Sequence, residues 1–282
     1  MKMNEYITKD NLEKNPYFQR IVMPLESSVI SKDYVEFYRV IDGASTEITA
    51  QLYDDLIIDN FNEKERDSKK NFQAFYEKIP ELEERRENIN IVAVSNSKYV
   101  GLLTGMSFHK SKLGYFDYLV VDETVRSKGV GGHLFQAGKL ILRNIALQHG
   151  YNNDNLAVLL TVEKPDATMN LGKGQDSKKR LSFYNRQNCK RVCGMPCIVP
   201  EISDTETGEQ KPAIDCYDWL IAGVNRDFQD GEVVMNHETA LKFNIDNIDL
   251  QYNNHGIKAE DTETYKKVLA SLDNEIYAEA LF

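Results

Sequence analysis

A glycine-rich turn is the feature of this chain most suited to chemistry. Residues 126–132 read Arg-Ser-Lys-Gly-Val-Gly-Gly and lie between an apolar run that ends at Val121 and a segment with helical spacing. Glycines allow the backbone to approach a ligand closely, and the N–H groups that open a helix point outward at the positive end of its dipole. The turn is therefore typical of a cradle for an anionic group such as a phosphate.

Two common phosphate-binding motifs do not fit these residues. A P-loop requires a Lys followed by Ser or Thr after its last glycine, and no such pair follows Gly132. The dinucleotide fingerprint requires a third glycine at the position of Leu134 and a preceding parallel βαβ unit. Three consecutive strand-like runs precede the turn instead, so the sequence argues against both kinds of nucleotide-binding protein.

The elements that position this turn are expected from the spacing of apolar residues. Before the turn come a strand, two helices and three strands, expected over 34–41, 48–61, 72–79, 89–94, 99–108 and 115–121. After it come a helix, a strand, a helix and two strands, expected over 134–150, 155–162, 178–192, 192–199 and 217–222. The predicted order is β α α β β β α β α β β, an α/β (α+β) fold with a mixed, mostly antiparallel central sheet and flanking helices.

Three regions are expected along the chain. Residues 1–33 show no sustained period and contain Pro16 and Pro24, which predicts an irregular leader. Residues 34–224 hold the predicted elements, and residues 225–282 form an acidic C-terminal extension with a terminal helix expected from Thr262 to Ala280.

The charge of the protein is concentrated near its C-terminus. The whole chain of 282 residues carries a net charge of −10, but residues 201–282 hold 18 acidic and 6 basic residues, or −12, which leaves +2 for the rest. An acidic surface argues against nonspecific nucleic-acid binding and is compatible with a cationic partner. No run approaches the roughly 18 apolar residues that span a membrane, and the first residues lack the apolar core of a signal peptide, so a cytoplasmic protein without membrane contact is expected.

The four cysteines are not expected to bind a metal or to form a disulfide framework. Cys189, Cys193 and Cys197 are spaced four apart, whereas zinc sites show paired groups with a second pair, and no histidine lies nearby. This spacing predicts side chains on one face of a strand, where reduced cysteines act as small hydrophobic residues.

The turn resembles a known cofactor signature once its context is included. Arg126-x-x-Gly129-x-Gly131, directly after a strand ending in Val121, resembles the [RQ]-x-x-G-x-[GA] acyl-CoA signature of the GCN5-related N-acetyltransferases, the GNAT superfamily. That family has the same element order as the one predicted here. Its later helix carries a tyrosine and closes on Y-x-x-x-G-F, which resembles Tyr184 followed by Asn188, where asparagine replaces glycine as a left-handed residue.

The resemblance implies acetyl-CoA as cosubstrate and no metal. In the family, the cofactor lies where the fourth and fifth strands splay apart, the end of the fourth strand pairs with the pantetheine arm, and the glycine turn holds the pyrophosphate. The residues implied for the pantetheine arm are Leu119, Val120 and Val121. Those implied for the phosphates are Arg126, Ser127, Lys128, Gly129, Val130, Gly131 and Gly132, with Arg126 and Lys128 adding positive charge.

The resemblance also implies direct transfer to an amine. Tyr184 is expected to protonate the leaving thiolate, with a core aromatic as its alternative role. Glu163 and Asp117 are the candidate general bases. However, the glutamate often found in the family lies at Thr161 here, and Glu163 could equally be a solvated strand end.

The acceptor is left open by the sequence. A primary amine of a small molecule or a protein is expected, and the acidic C-terminal third is compatible with a cationic amine, with a homodimer contact or with a solvated surface. The alternative function is a non-catalytic sensor or interaction module that binds acyl-CoA on the same fold.

Overall fold

The computed structural model describes most of the chain, namely residues 9–22, 35–61, 66–77, 84–164, 177–198, 202–203, 210–211, 217–252 and 262–281. The chain divides into two compact units. The first comprises Met1–Met106 with Phe116–Asn144, and the second comprises Ser107–Tyr115 with Ile145–Phe282.

The first unit contains a mostly antiparallel sheet. Within the described residues its strands lie in the order β1-β2-β3-β4-β5. Their bounds are Phe18–Arg20, Glu36–Val40, Arg86–Ser95, Lys98–Phe108 and Leu113–Val121, with the ends of the last two belonging to the second unit. β2 pairs antiparallel with both β1 and β3. Between β3 and β4, Asn96 and Ser97 have φ angles of 48° and 57°, as a two-residue hairpin turn requires.

The helices of the first unit overlap the predicted helical segments, except for the first helix, which lies before residue 34. Their bounds are α1 Lys9–Lys14, α2 Thr46–Leu52, α3 Ile58–Asn60, α4 Lys69–Ala74 and α5 Val130–Gln148. A π-helical turn, Tyr53–Ile57, joins α2 to α3 without a break in the chain. The Ser45 and Ser68 hydroxyls accept hydrogen bonds from backbone N–H groups and cap α2 and α4.

The sheet of the first unit is covered on both faces. Leu102 and Tyr118 lie in one cluster with side chains of α2 and α4, so those helices cover one face. The neighbouring Gly101 points the other way, where an added Cβ atom would lie 2.9 Å from the Leu134 side chain of α5. The helix that follows the glycine turn therefore packs on the face opposite α2 and α4.

A substitution at Gly138 tests this packing. A Cβ atom at Gly138 would lie 2.5 Å from Cζ of Phe116, whose ring packs edge-on against the buried Phe135. Gly138→Ala should gain about 1 kcal/mol of helix propensity but lose more through overpacking, for a net destabilisation of roughly 1–2 kcal/mol. Urea unfolding measures the difference, with Gln136→Ala on the exposed side of α5 as the control. An increase in stability for Gly138→Ala would contradict this packing.

The second unit also contains antiparallel strands. In the part of the chain that is described, they lie in the order β6-β10-β7-β12-β11, and β10 pairs antiparallel with both β6 and β7. Their bounds are β6 Ala157–Glu163, β7 Lys190–Cys193, β10 Tyr217–Gly223, β11 Val233–Asn236 and β12 Glu275–Glu279. A separate short ladder joins β8 Ile202–Ser203 to β9 Gln210–Lys211. The helices are α6 Ser177–Arg186, α7 His237–Tyr252 and α8 Glu263–Ser271.

The predicted fold class and element order are confirmed, and two expectations need correction. The sequence predicts an irregular leader, whereas α1 and β1 lie within it; three-residue β1 is too short to show a period, but its buried Phe18 packs on Tyr38. The sequence also predicts one helix from Thr262 to Ala280, whereas α8 ends at Ser271 and β12 follows. Ile276 and Ala278 of β12 are buried between exposed neighbours, which is the period of a strand.

The acidic C-terminal segment therefore contributes strands to the sheet of the second unit, because β12 pairs with β7 and β11 pairs with β12. Several sequence features, namely Pro80, Cys216 and most of the insert after Glu163, lie outside the described residues. Among the helices of the described ranges, none is long and apolar enough to cross a membrane.

Candidate active site

The glycine turn is built from a capped 3₁₀ turn and two left-handed residues. β5 ends at Val121, and the Asp122 carboxylate accepts a 2.9 Å hydrogen bond from Thr124 N at the start of the 3₁₀ turn. Ser127 and Gly129 then have φ angles of 63° and 85°. These left-handed conformations reverse the chain so that α5 starts close to the end of β5.

The first turn of α5 offers free hydrogen-bond donors. Its first bond runs from His133 N to the carbonyl of Gly129 at 3.1 Å. Among the described residues, no acceptor contacts the N–H groups of Val130, Gly131 and Gly132, as at any uncapped helix start. With the positive end of a 19-residue helix dipole behind them, these groups can bind an anion.

The His133 side chain holds the turn in place. Its ring stacks on Phe37 of β2 with 5.9 Å between ring centroids, and its Nδ1 lies 2.9 Å from the Gly129 carbonyl oxygen. Because a carbonyl oxygen only accepts, Nδ1 is the protonated donor. This bond to the residue four positions earlier fixes Gly129 at the start of α5.

Arg126 bonds to the end of β5 and to a helix far away in the chain. Its Nε donates to the Val121 carbonyl at 3.0 Å, and its Nη2 donates to Oδ1 of Asn60 at 2.5 Å. The resemblance implies only a charge near the phosphates for this residue. Asn60 is 66 positions earlier in the chain, and no local signal in the sequence links it to the turn.

In β5, the strand before the turn, side chains stop alternating regularly between the two faces of the sheet near Asp117. Phe116 packs on Phe135 of α5, whereas Tyr118, two residues later, packs on Phe72 of α4 on the opposite face. Residues two apart in a regular strand face the same side, so one extra residue interrupts the pleat here. At this point the Tyr118 N–H donates to the hydroxyl of Thr104 at 3.2 Å.

The expected pantetheine strand has one buried and two accessible side chains. Val120 belongs to the core under α2 and α4, while Leu119 and Val121 are half-buried on the other face. Tyr118 anchors this strand, since its hydroxyl donates to the Asp67 carboxylate at 2.9 Å and accepts from Asp67 N at 2.9 Å. Burial raises the pKa of Tyr118 well above its usual value, so this anchor stays protonated.

Glu163 lies at the end of β6 in the second unit and is not a solvated strand end. Its side chain is 5% exposed and forms an ion pair with Arg180 of α6. The alternative of a solvated strand end is therefore wrong. The guanidinium compensates the burial of the carboxylate, and it also makes Glu163 less available as a base.

Removing Arg180 tests how much this ion pair contributes to the stability of the fold. Arg180→Met removes the guanidinium that pairs with a buried carboxylate, and because Arg180 is only partly exposed we expect a loss of about 2–4 kcal/mol in the free energy of unfolding. Lys242→Met, which breaks the exposed pair of Lys242 with Glu238, should cost at most about 0.5 kcal/mol. Urea denaturation of both variants measures the two losses in the free energy of unfolding. Equal losses would show that the buried ion pair stabilises the fold no more than the exposed one.

Tyr184 lies on α6, also in the second unit. It is partly buried, its ring packs edge-on against Phe183 at 5.2 Å, and burial raises the pKa of its hydroxyl above the usual value. Its carbonyl accepts from Cys189 N at 3.0 Å where the helix ends, and Asn188 has a φ angle of 58°. The predicted left-handed role of Asn188 is confirmed.

The predicted residues thus fall into two groups. The first unit holds the turn, residues 119–121 and Asp117, and its bonds connect the end of β5 to the turn. The second unit holds Glu163 and Tyr184, and Arg180, four residues before Tyr184 on α6, pairs with Glu163.

The cysteines do not share one face of a strand as expected. Only Cys193 lies on β7, because Gly194 has a φ angle of 85° and ends the strand. Cys189 and Cys197 are buried outside it. The Cys193 thiol donates to the Glu279 carboxylate at 3.2 Å, and burial raises its pKa to about 11.

An open, mostly antiparallel sheet whose strand leads through a glycine turn into a long helix is the arrangement expected for an acyltransferase fold of the GNAT kind. Residues 49–159 match the model of the acetyltransferase (GNAT) family. The matched segment includes β5, the turn and α5. This match supports acetyl transfer that depends on acyl-CoA as the general chemistry of the segment.

Solved structures of similar shape carry acetyltransferase names. An aminoglycoside 6′-N-acetyltransferase complexed with coenzyme A is 14% identical, with 68% of this chain and 99% of that chain covered and a TM-score of 0.42. The ribosomal-protein-S18-alanine N-acetyltransferase from Escherichia coli is 11% identical, with 70% and 97% covered and a TM-score of 0.41. No curated protein matches the chain.

Proposed function

We propose that this protein transfers an acetyl group from acetyl-CoA directly to a primary amine of a small molecule or a protein. The observation that carries the proposal is the turn between β5 and α5, where the free N–H groups of Val130, Gly131 and Gly132 open a long helix. Such donors suit a pyrophosphate, and the family match covers this segment.

The proposed reaction needs a general base, a hydrogen-bond donor that stabilises the oxyanion, and a general acid. The neutral amine attacks the thioester carbonyl, so that a C–N bond forms and the C–S bond breaks. The backbone N–H near Val121 stabilises the oxyanion, and the Tyr184 hydroxyl gives its proton to the leaving thiolate. The raised pKa of Tyr184 supports this role because it keeps the phenol protonated.

The proton of the amine goes to a carboxylate in this scheme. Asp117 is half-buried at the irregularity of β5, next to the residues proposed for the pantetheine arm. Glu163 is paired with Arg180, which favours a structural role for it. We therefore place Asp117 before Glu163 as the candidate base.

One observation favours the rival function of a non-catalytic acyl-CoA-binding module. The position of the frequent family glutamate is Thr161, and the nearby Glu163 is held by Arg180. A protein of this kind would bind the cofactor through the same turn and release no thiol.

An acetyl-transfer assay separates the two functions. The purified protein is incubated with acetyl-CoA and a polyamine, an aminoglycoside or a lysine-containing peptide, and free CoA thiol is recorded together with the mass of the product. An amine that gains one acetyl group as thiol is released supports the enzyme. Tight acetyl-CoA binding without product from any amine would support the module, and absence of binding would contradict both.

A further inference from the structure

Asn60 and Arg126 link two elements that are far apart in the chain. Arg126 donates to the carbonyl at the end of β5 and to Asn60 at the end of α3. Asn60 in turn donates through Nδ2 to the Leu56 carbonyl at 2.8 Å. One continuous series of hydrogen bonds therefore runs from the helix end, through two side chains, to the strand that enters the glycine turn.

The π-helical turn explains why Asn60 can take part. Ile58 N bonds to the Tyr53 carbonyl five residues earlier, so one extra residue is inserted in the helix. Such an insertion rotates the following residues by about 100° relative to a regular α-helix. Asn60 follows directly and reaches the Leu56 carbonyl with its side chain, while its amide oxygen remains available to Arg126.

A second arginine holds the same helix end. Arg66 donates from Nη1 to the Ile58 carbonyl at 3.0 Å, and the next residue, Asp67, is held by the hydroxyls of Tyr53 and Tyr118. The helix end is therefore a fixed point within the first unit. Through its hydrogen bonds to Asn60 and Val121, Arg126 connects this fixed point to the strand that enters the turn.

We propose that Asn60 and Arg126 form a positioning clamp for the glycine turn, and that Arg126 supports cofactor binding through this clamp rather than as a phosphate ligand. The inference deepens the proposed function and rests on it. The Nε and Nη2 atoms of Arg126 already donate hydrogen bonds to Val121 and Asn60, with donor-acceptor distances of 3.0 and 2.5 Å. Two hydrogen bonds from one planar guanidinium fix its orientation, whereas a single ammonium group does not.

The clamp predicts an unusual pattern of acetyl-CoA affinities. Asn60→Ala, whose side chain has no charge to offer a phosphate, should weaken acetyl-CoA binding about tenfold, the usual scale for one hydrogen bond to a charged group. Arg126→Ala and Arg126→Lys should weaken it to a similar degree. The Asn60→Ala/Arg126→Ala double variant should bind no more weakly than Arg126→Ala alone, because both changes remove one unit.

Calorimetric titration of acetyl-CoA at low and high salt measures this pattern, with the exposed neighbour Asp59→Ala as the matched control. If Arg126 instead contacts a phosphate, Asn60→Ala binds like the wild type, Arg126→Lys retains most affinity, and the loss in Arg126→Ala shrinks as salt rises. That pattern would overturn the clamp.

Amide hydrogen exchange without cofactor tests the clamp separately from the proposed function. The N–H groups of Lys128 and His133 are bonded within the turn, to Val125 and Gly129. In Asn60→Ala they should exchange about tenfold faster than in Asp59→Ala, by the loss of one stabilising bond. Unchanged exchange would overturn the clamp even if acetyl-CoA binds, whereas faster exchange in a protein that binds no acetyl-CoA would refute only the proposed function.

Discussion

A Gly131→Asp variant should lose acetyl-CoA affinity by about 100-fold or more while its fold becomes slightly more stable than that of the wild type. A carboxylate at the second position of α5 would compete for the N–H groups proposed for the pyrophosphate and would repel the phosphates. Several charge-assisted hydrogen bonds would be lost together, each with an effect of about 1.5–3 kcal/mol. Isothermal titration measures the affinity.

The free energy of unfolding of this variant should increase, although its affinity for acetyl-CoA falls. Gly131 has no positive φ angle, so a side chain fits its backbone conformation. Replacing glycine in a helix and adding a negative charge at its start should together stabilise the fold by roughly 0.5–1 kcal/mol. Gly131→Asn is the matched control, since it has nearly the same shape without the charge and should retain more affinity. A stable Gly131→Asp protein that binds acetyl-CoA like the wild type would refute the proposed phosphate site.

A Tyr184→Phe variant should lose about 100-fold in kcat, the low end of what one general acid contributes, and keep its KM for acetyl-CoA. The change removes one hydroxyl and leaves the ring packed on Phe183. Because burial raises the pKa of Tyr184, its phenol stays protonated through the neutral range, and the wild type should not lose activity through this group below about pH 10. Steady-state kinetics across pH, with the acceptor found by the transfer assay, provides the test.

Tyr277→Phe serves as the control in the same unit. Its hydroxyl contacts Glu275 at the surface, and no role in the reaction is proposed for it. Its kcat should equal that of the wild type. If Tyr184→Phe and Tyr277→Phe behave alike, Tyr184 is a packed aromatic residue and another group protonates the thiolate.

Local patterns were sufficient to predict the elements around the turn. The hairpin before β5, the glycines after it and the left-handed Asn188 each follow from a few adjacent residues whose backbone preferences are strong. The fold class follows from the order of these elements. Such features depend little on the rest of the chain.

Contacts between distant residues could not be predicted in the same way. The bond of Arg126 to Asn60 and the ion pair of Glu163 with Arg180 depend on how helices are placed on the sheet. The π-helical turn inserts one residue into a helix whose apolar spacing looks regular. β12 could not be predicted because only three residues separate its five residues from the end of a helical segment, and pairing with β7 and β11 makes them a strand.

The central claim is that the turn between β5 and α5 binds the phosphates of acyl-CoA. The most direct test is a titration of the ¹⁵N-labelled protein with coenzyme A, followed by the amide NMR signals of residues 127–132. We expect these signals to shift strongly and to do so less in Gly131→Asp. Binding that leaves them unmoved and shifts other amides, or no binding at all, would contradict the account.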